Sequence, residues 1–419
     1  MPNAPRPWTE GRRCFRRRSF EPPPETTALY ERILCYMRLP HDLVESPLFQ
    51  FREVDELLAA LGDRSTPQDA VRIRHLIGLG LPPIASADAL AAMIGLNAGI
   101  VWSFLKRPNR HYRTFSIPKG RGQRDLVAPK VGIKIVQTWI AFHLSRAYQA
   151  PDHVFGFVRG KSHTGAALCH TGANWAYSVD IEDFFPSTPI VSVRDALLAL
   201  GYDPQSADLI ATLCTLNGRL PQGAPTSPTL SNLCFAAIDA RLRTLAAEFG
   251  CIVTRYADDI VFSGQGNRPD ALQLRTHQLF EGTPYRIAPH KELVQPLKGR
   301  IKIHGLLIKH DGVRLTKGYR NRLRAYNHIA AKLGTSANDF HKIRGHLQYG
   351  NLISSLGYAG DHLPGIKSGL ANNGFGSATD TIAETIPISD ENGVTPSSFN
   401  EANVLGLRAR IRRFFKDIT

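Results

Sequence analysis

Cys251-Ile-Val-Thr-Arg-Tyr-Ala-Asp-Asp-Ile-Val-Phe-Ser-Gly264 sets two carboxylates, Asp258 and Asp259, between two runs of β-forming residues. That is the pattern of a hairpin with its acids at the bend. Burying adjacent Asp residues is costly unless a cation or a donor neutralises them. Hard divalent cations prefer carboxylate oxygen, so a metal ion is the natural partner. Asp-Asp also occurs in solvated turns, and the hairpin alone leaves both readings open.

A second segment, Trp175-Ala-Tyr-Ser-Val-Asp-Ile-Glu-Asp-Phe-Phe-Pro-Ser187, reads as a short strand ending in acids and closed by Phe-Phe-Pro. Asp180 follows the apolar run and is placed to leave a central strand facing the Asp258 hairpin. Three carboxylates from two strands can hold two Mg²⁺ about 3.5–4 Å apart, the clamp that joins a 3′ hydroxyl to a nucleoside triphosphate.

Between these strands lies Leu220-Pro-Gln-Gly-Ala-Pro-Thr-Ser-Pro-Thr-Leu-Ser-Asn232. With it the chain resembles reverse transcriptases, in which an apolar-Asp strand, a Pro-Gln-Gly loop and a Tyr-x-Asp-Asp hairpin occur in this order. The resemblance runs from about residue 80 to about residue 355 and narrows to one branch. Gly80-Leu-Pro-Pro-Ile-Ala-Ser-Ala-Asp-Ala-Leu-Ala91 is similar to the N-terminal helix entry of retron-type bacterial enzymes. Tyr112-Arg-Thr-Phe-Ser-Ile-Pro-Lys119, with Arg124, Pro129 and Gln137 beyond, resembles their fingers. Gly156-Phe-Val-Arg-Gly-Lys-Ser162 is typical of that branch and of group II intron enzymes. Two motifs depart from the pattern. The retron motif Asn-Ala-x-x-His stands here as Ala166-Ala-Leu-Cys-His170, and Val-Thr-Gly stands as Ile303-His304-Gly305. Both are associated in the family with handling its cognate RNA, so they bear on RNA partner and priming rather than on polymerisation.

The resemblance implies an α+β right-hand polymerase fold with fingers, a palm of antiparallel sheet packed on helices, and a helical thumb. The expected divisions are a basic flexible arm at 1–26, an N-terminal helical region at 27–108, fingers at 109–170, palm at 171–310, thumb at 311–360, and a linker with a C-terminal basic helix at 361–419. Asp180, Asp258 and Asp259 are the expected catalytic metal ligands, with the Ile181 carbonyl as a further one. The expected cofactor is two Mg²⁺, which Mn²⁺ can replace. Lys119 and Arg124 are expected to hold the triphosphate, and Lys291 resembles a palm lysine near the pyrophosphate. Phe185 matches the position that faces the sugar and leaves no room for a 2′ hydroxyl, while Phe184 should point the other way, into the core. Gln222 is expected to contact the incoming nucleotide, with Gly223 permitting a close backbone approach. Tyr256 is expected to pack beneath the primer end, and His304 and Gly305 to meet the template-primer.

Bulk properties fit a polyanionic partner. The 419 residues carry a net charge of +15 with 43% apolar content, enough for two or three packed domains. Charge of that sign favours nucleic acid as the partner. The six cysteines (Cys14, Cys35, Cys169, Cys214, Cys234 and Cys251) form no Cys-x-x-Cys pair and read as reduced thiols. Cys169 and His170 with His163 make an incomplete zinc set, which favours a core or RNA-contact role. No stretch approaches the roughly 18 apolar residues of a membrane span, and the N-terminus has no apolar signal core. A cytoplasmic address and no membrane partner are expected.

Helical spacing organises several segments. Ala89, Leu90, Met93, Ile94 and Asn97 trace one helix face, with Ser86 as its cap. A helix is expected from Thr229 to Phe249, its core face carrying Leu230, Leu233, Ala237, Ile238 and Leu242. In the thumb, Tyr319, Leu323, Tyr326 and Ala330 form an apolar stripe, while Lys317, Arg320, Arg324 and His328 line another face suited to a duplex tracked by its phosphates. Val404, Leu407, Ile411 and Phe414 make the stripe of a last, Arg-rich helix.

The function implied is an RNA-directed DNA polymerase that copies part of a bound, structured non-coding RNA by two-metal nucleotidyl transfer. Its partners would be that RNA and its RNA-DNA product, deoxynucleoside triphosphates and an effector protein. Retron resemblance adds priming from a 2′ hydroxyl and a role in anti-phage defence. Two other readings stay open: a non-catalytic RNA-binding scaffold, and a group II intron-type reverse transcriptase. Clustered carboxylates without a metal would repel one another, which weighs against the scaffold. The chain offers no obvious His-Asn-His endonuclease or Cys-rich tail, which weighs against the intron enzyme.

Overall fold

A four-stranded antiparallel sheet organises the protein, as seen in a computed structural model that describes residues 41–119, 122–295, 300–333 and 340–357. The fold lies in the unit that begins at Asp42. The basic arm at 1–26, the linker from 361 and the helix around Val404, Leu407, Ile411 and Phe414 lie outside the described residues.

The chain leads in with helices α1 (Val54–Leu61), α2 (Pro67–Gly78), α3 (Ala87–Ile94) and α4 (Ala98–Lys106). Ser86 caps α3 as its spacing predicts, its Oγ accepting from the Ala89 amide at 3.1 Å. The face ends earlier than the periodicity reads. Gly95 turns left-handed (φ +74) and stops α3, so Asn97 instead caps α4, its side chain accepting from Gly99. A two-stranded hairpin of β1 (Tyr112–Lys119) and β2 (Gly122–Pro129) follows, then α5 (Val131–Ala147) and the short α6 (His163–Leu168).

The central sheet runs in the order β4 (Ile252–Tyr256), β5 (Asp259–Gly264), β3 (Trp175–Asp180), β6 (Leu293–Gln295). Side chains alternate across a strand, so Trp175, Tyr177 and Val179 share one face with Val253, Ile260 and Phe262. That face buries itself against α9 (Ser227–Glu248) and α10 (Ala271–Phe280) through Phe235, Ile238, Leu242, Leu245, Leu272, Leu279 and Phe280. Full burial of one such large apolar side chain stabilises the fold by about 1.5–3 kcal/mol. Helix α9 starts at Ser227 and ends at Glu248, close to the expected span, but Ala237 is exposed. Phe235 and Asp239 take the inner face in its place.

On the opposite face, Ala176 and Val261 meet a second cluster. It is built from a three-stranded sheet, β7 (Lys302–Ile303), β8 (Leu306–Lys309) and β9 (Gly312–Leu315). Helices α7 (Ile190–Ala199), α8 (Pro204–Cys214), α11 (Lys317–Leu333) and α12 (Phe340–Gly357) complete the described elements used below. Tyr319 and Leu323 of α11 pack on this second cluster, while Lys317, Arg320, Arg324 and His328 stay exposed. The apolar and cationic faces of α11 thus divide as the helical spacing predicts.

Candidate active site

Strand register does the first work of the site. In the antiparallel pairing of β3 with β5, Asp180 lies opposite Asp259. Both fall on the face of Ala176 and Val261, at the end of the strands where the sheet runs out. Asp258 occupies the bend between β4 and β5, next to Ala257, whose φ is +59. The Asp258 carbonyl accepts from the Ile181 amide at 2.9 Å, tying the bend to the end of β3. One buried residue, Ile181, therefore joins the two segments that carry the three carboxylates.

Each acid has a different environment. Burial, and then the nearby Asp180 charge, raise the Asp258 carboxyl above its ordinary range. Asp180 forms an ion pair with the Lys291 ammonium, delivered by the short turn Pro289–Lys291. Asp259 Oδ2 lies 3.0 Å from His304 Nδ1, and the His304 side chain is only 5% exposed. As the side chains stand, no three His, Cys, Asp or Glu among the described residues converge closely enough to hold a metal ion. The donor set nevertheless fits a divalent cation. Asp180 and Asp259 are paired across the strands with Asp258 at the adjoining bend, the first two drawn to Lys291 and His304, and the third disfavoured as an anion until positive charge arrives.

Phe184 and Phe185 lie in the turn after β3 and differ in burial, although both touch the core under the sheet. Phe184 is buried and packs its ring against Phe235 and Tyr285. Phe185 is half-buried, with its ring centroid 5.8 Å from that of Phe157. The Pro-Gln-Gly loop is fastened to the β1–β2 hairpin, since the Gln222 carbonyl accepts from the Val127 amide at 3.0 Å. Gly223 (φ +133) is needed there because a Cβ would stand 3.0 Å from the Val127 carbonyl oxygen. The close approach that this glycine permits is made by strand β2. The side chains of Lys119 and Arg124 lie outside the described residues.

Tyr256 ends β4 half-buried, its ring centroid 5.4 Å from His304 and 6.2 Å from His163. His163 in turn shares a 2.9 Å hydrogen bond with Tyr349 of α12. Gly305 follows His304 in the β7–β8 turn, and Lys317, Arg320 and Arg324 lie exposed on α11. The incomplete zinc set is not assembled. His170 is buried and bonds Ser263 Oγ at 2.6 Å and Thr254 Oγ1 at 2.7 Å, which makes it a core histidine.

Two features of the site escape a linear reading. His304 reaches Asp259 across 45 positions of chain, which no local spacing announces. Arg255, one residue before Tyr256, is wholly buried against Asp239 of α9. Its one sequence signal is a charged residue inside the strand Ile252–Tyr256, beside Thr254 and Tyr256.

Residues 117–329 match the family described as Reverse transcriptase (RNA-dependent DNA polymerase). The chain is 34% identical over 308 residues to the Retron Mx65 reverse transcriptase of Myxococcus xanthus, covering 67% of this chain and 69% of that one. It is 30% identical over 307 residues to the Retron Mx162 reverse transcriptase of the same organism, covering 64% and 63%. With the Retron Ec86 reverse transcriptase of Escherichia coli it shares 28% identity over 260 residues, covering 61% and 81%. No helix among the described residues is long and apolar enough to cross a membrane.

Proposed function

Because this chain belongs to the reverse transcriptases, as an RNA-directed DNA polymerase of the retron type, we propose that it copies part of a structured non-coding RNA which it holds itself. The observation that supports the assignment of roles is the register that sets Asp180 opposite Asp259, with Asp258 at the adjoining bend. The family's chemistry depends on divalent metal, and in this reading the metal is Mg²⁺. Asp180, Asp258 and Asp259 hold it, with the Ile181 carbonyl as a further ligand. When bound, two such ions lower the pKa of the attacking hydroxyl and stabilise the leaving pyrophosphate.

The chain's own residues do the rest. Lys119 and Arg124 of the hairpin hold the triphosphate, and Lys291 shifts from Asp180 toward the departing pyrophosphate. Gln222 meets the incoming nucleotide from a loop braced on β2. Phe185 faces the sugar and excludes a 2′ hydroxyl. Tyr256, His304 and Gly305 support the primer end, and Lys317, Arg320 and Arg324 track the duplex phosphates along one face of α11. Fingers at 109–170, palm at 171–310 and thumb at 311–360 are the corresponding divisions. In this reading, which follows the retron resemblance of the sequence, the chain works in the cytoplasm with an effector protein in anti-phage defence.

The test is to purify the full chain with its co-purifying nucleic acid and supply deoxynucleotides with Mg²⁺. DNA joined to one discrete RNA is the expected product, absent from the Asp258→Ala protein. Equal products from both proteins, or none from either, would remove the proposal.

A further inference from the structure

The buried ion pair beneath the catalytic bend has no counterpart in the roles assigned so far. Arg255 and Asp239 are both 0% exposed. Arg255 Nε and Nη2 donate to the two Asp239 carboxylate oxygens at 2.7 and 2.6 Å, a bidentate fork. Its remaining nitrogen, Nη1, donates to the Ala257 carbonyl at 3.0 Å and to Asn232 Oδ1 at 3.1 Å. The ring of Phe235 lies under the guanidinium, 4.7 Å from its carbon. Asp239, Asn232 and Phe235 all come from α9, so one rigid helix holds the guanidinium from three directions.

The atom held at the other end is the important one. Ala257 stands between Tyr256 and Asp258 and takes φ +59, a left-handed conformation that an L-residue holds only where its surroundings enforce it. Arg255 supplies that enforcement through the Ala257 carbonyl. The loop below adds a second support. The Asn232 side-chain amide donates to the Gly156 carbonyl at 2.9 Å, and the Phe155 amide donates to the Arg255 carbonyl at 2.8 Å. Gly156 lies so close that a Cβ there would be 2.1 Å from the Ala257 nitrogen.

Stability alone does not explain such an arrangement. Removing two charges from water costs so much that well-packed apolar residues of similar volume often serve a fold equally well or better. A fork that binds a carboxylate with two nitrogens and a turn carbonyl with the third does what apolar packing cannot, which is to fix a direction.

We propose that the Arg255–Asp239 pair is a positioning device for the reaction, setting the left-handed Ala257 turn and through it the placement of the Asp258 and Asp259 carboxylates. This rests on the reading of those two acids as the reacting centre.

The test uses the full chain in four forms: wild type, Asp258→Asn, Arg255→Lys, and the apolar double variant Arg255→Met with Asp239→Leu. Steady-state kinetics with a defined primer-template are paired with thermal unfolding and with hydrogen exchange of the peptide spanning 255–260. Lysine keeps the charge but cannot span both partners, and a misplacement near 1 Å costs about a hundredfold in rate. Arg255→Lys should therefore lose about tenfold to a hundredfold in kcat, with KM for the nucleotide within about twofold. The double variant should unfold at or above the wild-type temperature, exchange faster at 255–260, and still show the kcat loss. If the double variant recovers kcat along with stability, or Arg255→Lys keeps full kcat, the pair is structural only and the proposal is overturned. If Asp258→Asn retains activity, it is the reading of the reacting centre that fails instead.

Discussion

His304 Nδ1 lies 3.0 Å from Asp259 Oδ2, so a histidine from the β7–β8 turn occupies the carboxylate that also faces Asp180 across the sheet. His304 itself has φ +48 and is followed by Gly305 at φ +84, a pair of left-handed residues that turns the chain sharply. The imidazole therefore competes with any cation for Asp259. His304→Asn keeps a residue tolerant of the left-handed turn and shortens the reach. A hydrogen bond to a charged group is worth about 1.5–3 kcal/mol, less here because Asp259 is partly exposed. The Mg²⁺ midpoint of the full chain, measured by calorimetry without nucleic acid, should fall by roughly threefold to tenfold. An unchanged or weaker midpoint would show that His304 does not compete.

Asp258→Asn should separate catalysis from stability. Burial and Asp180 raise the Asp258 pKa in the folded chain. A raised folded pKa means that stability falls as pH rises through it, so the ionised Asp258 destabilises the metal-free protein at neutral pH. The Asn variant should make no detectable DNA, yet unfold at a higher temperature than wild type in EDTA. A lower unfolding temperature in EDTA would contradict the electrostatic account.

The two neighbouring phenylalanines should part company on mutation. Phe184→Ala removes a buried ring packed edge-on to Phe235 and tilted against Tyr285 and should destabilise the protein by about 3–5 kcal/mol in urea unfolding. Phe185→Ala should leave folding within about 1 kcal/mol of wild type and raise incorporation of ribonucleotides. Unchanged discrimination against ribonucleotides would refute the sugar-gate role.

His170 makes the fold acid-sensitive. Burial pushes its pKa down to about 3, so the folded chain resists a proton that the unfolded chain accepts near pH 6.5. Stability is whole above pH 6.5 and falls by about 1.4 kcal/mol per pH unit below it, until the folded pKa is reached. Wild type should therefore lose about 2 kcal/mol from this residue between pH 7 and pH 5. Replacing it by Gln should shrink the urea-measured difference by that amount, while His111, His143, His153 and His163, also depressed by burial, contribute to the remainder. An identical pH dependence in the variant would remove His170 as a source.

Much of this protein is legible from local pattern. The Asp258–Asp259 bend, the strand ending at Asp180, the cap at Ser86 and the two faces of α11 depend on residues close in sequence, where alternation and helical spacing dictate which side chains share a face. Asn97 and Ala237 show the limit of that rule. A left-handed Gly95 ended one helix early, and the packing of α9 under the sheet chose Phe235 and Asp239 over Ala237.

The residue order by itself determined that Asp180 would end a strand and that Asp258 and Asp259 would sit at a hairpin bend, because strands and turns are short-range consequences of the chain. Only the tertiary structure decided what surrounds them: Lys291 on Asp180, His304 on Asp259, and the Arg255 fork joining α9 to the Ala257 turn. Those contacts link distant segments, and a long-range partner is selected by the geometry of packed elements, to which spacing along the chain gives no guide.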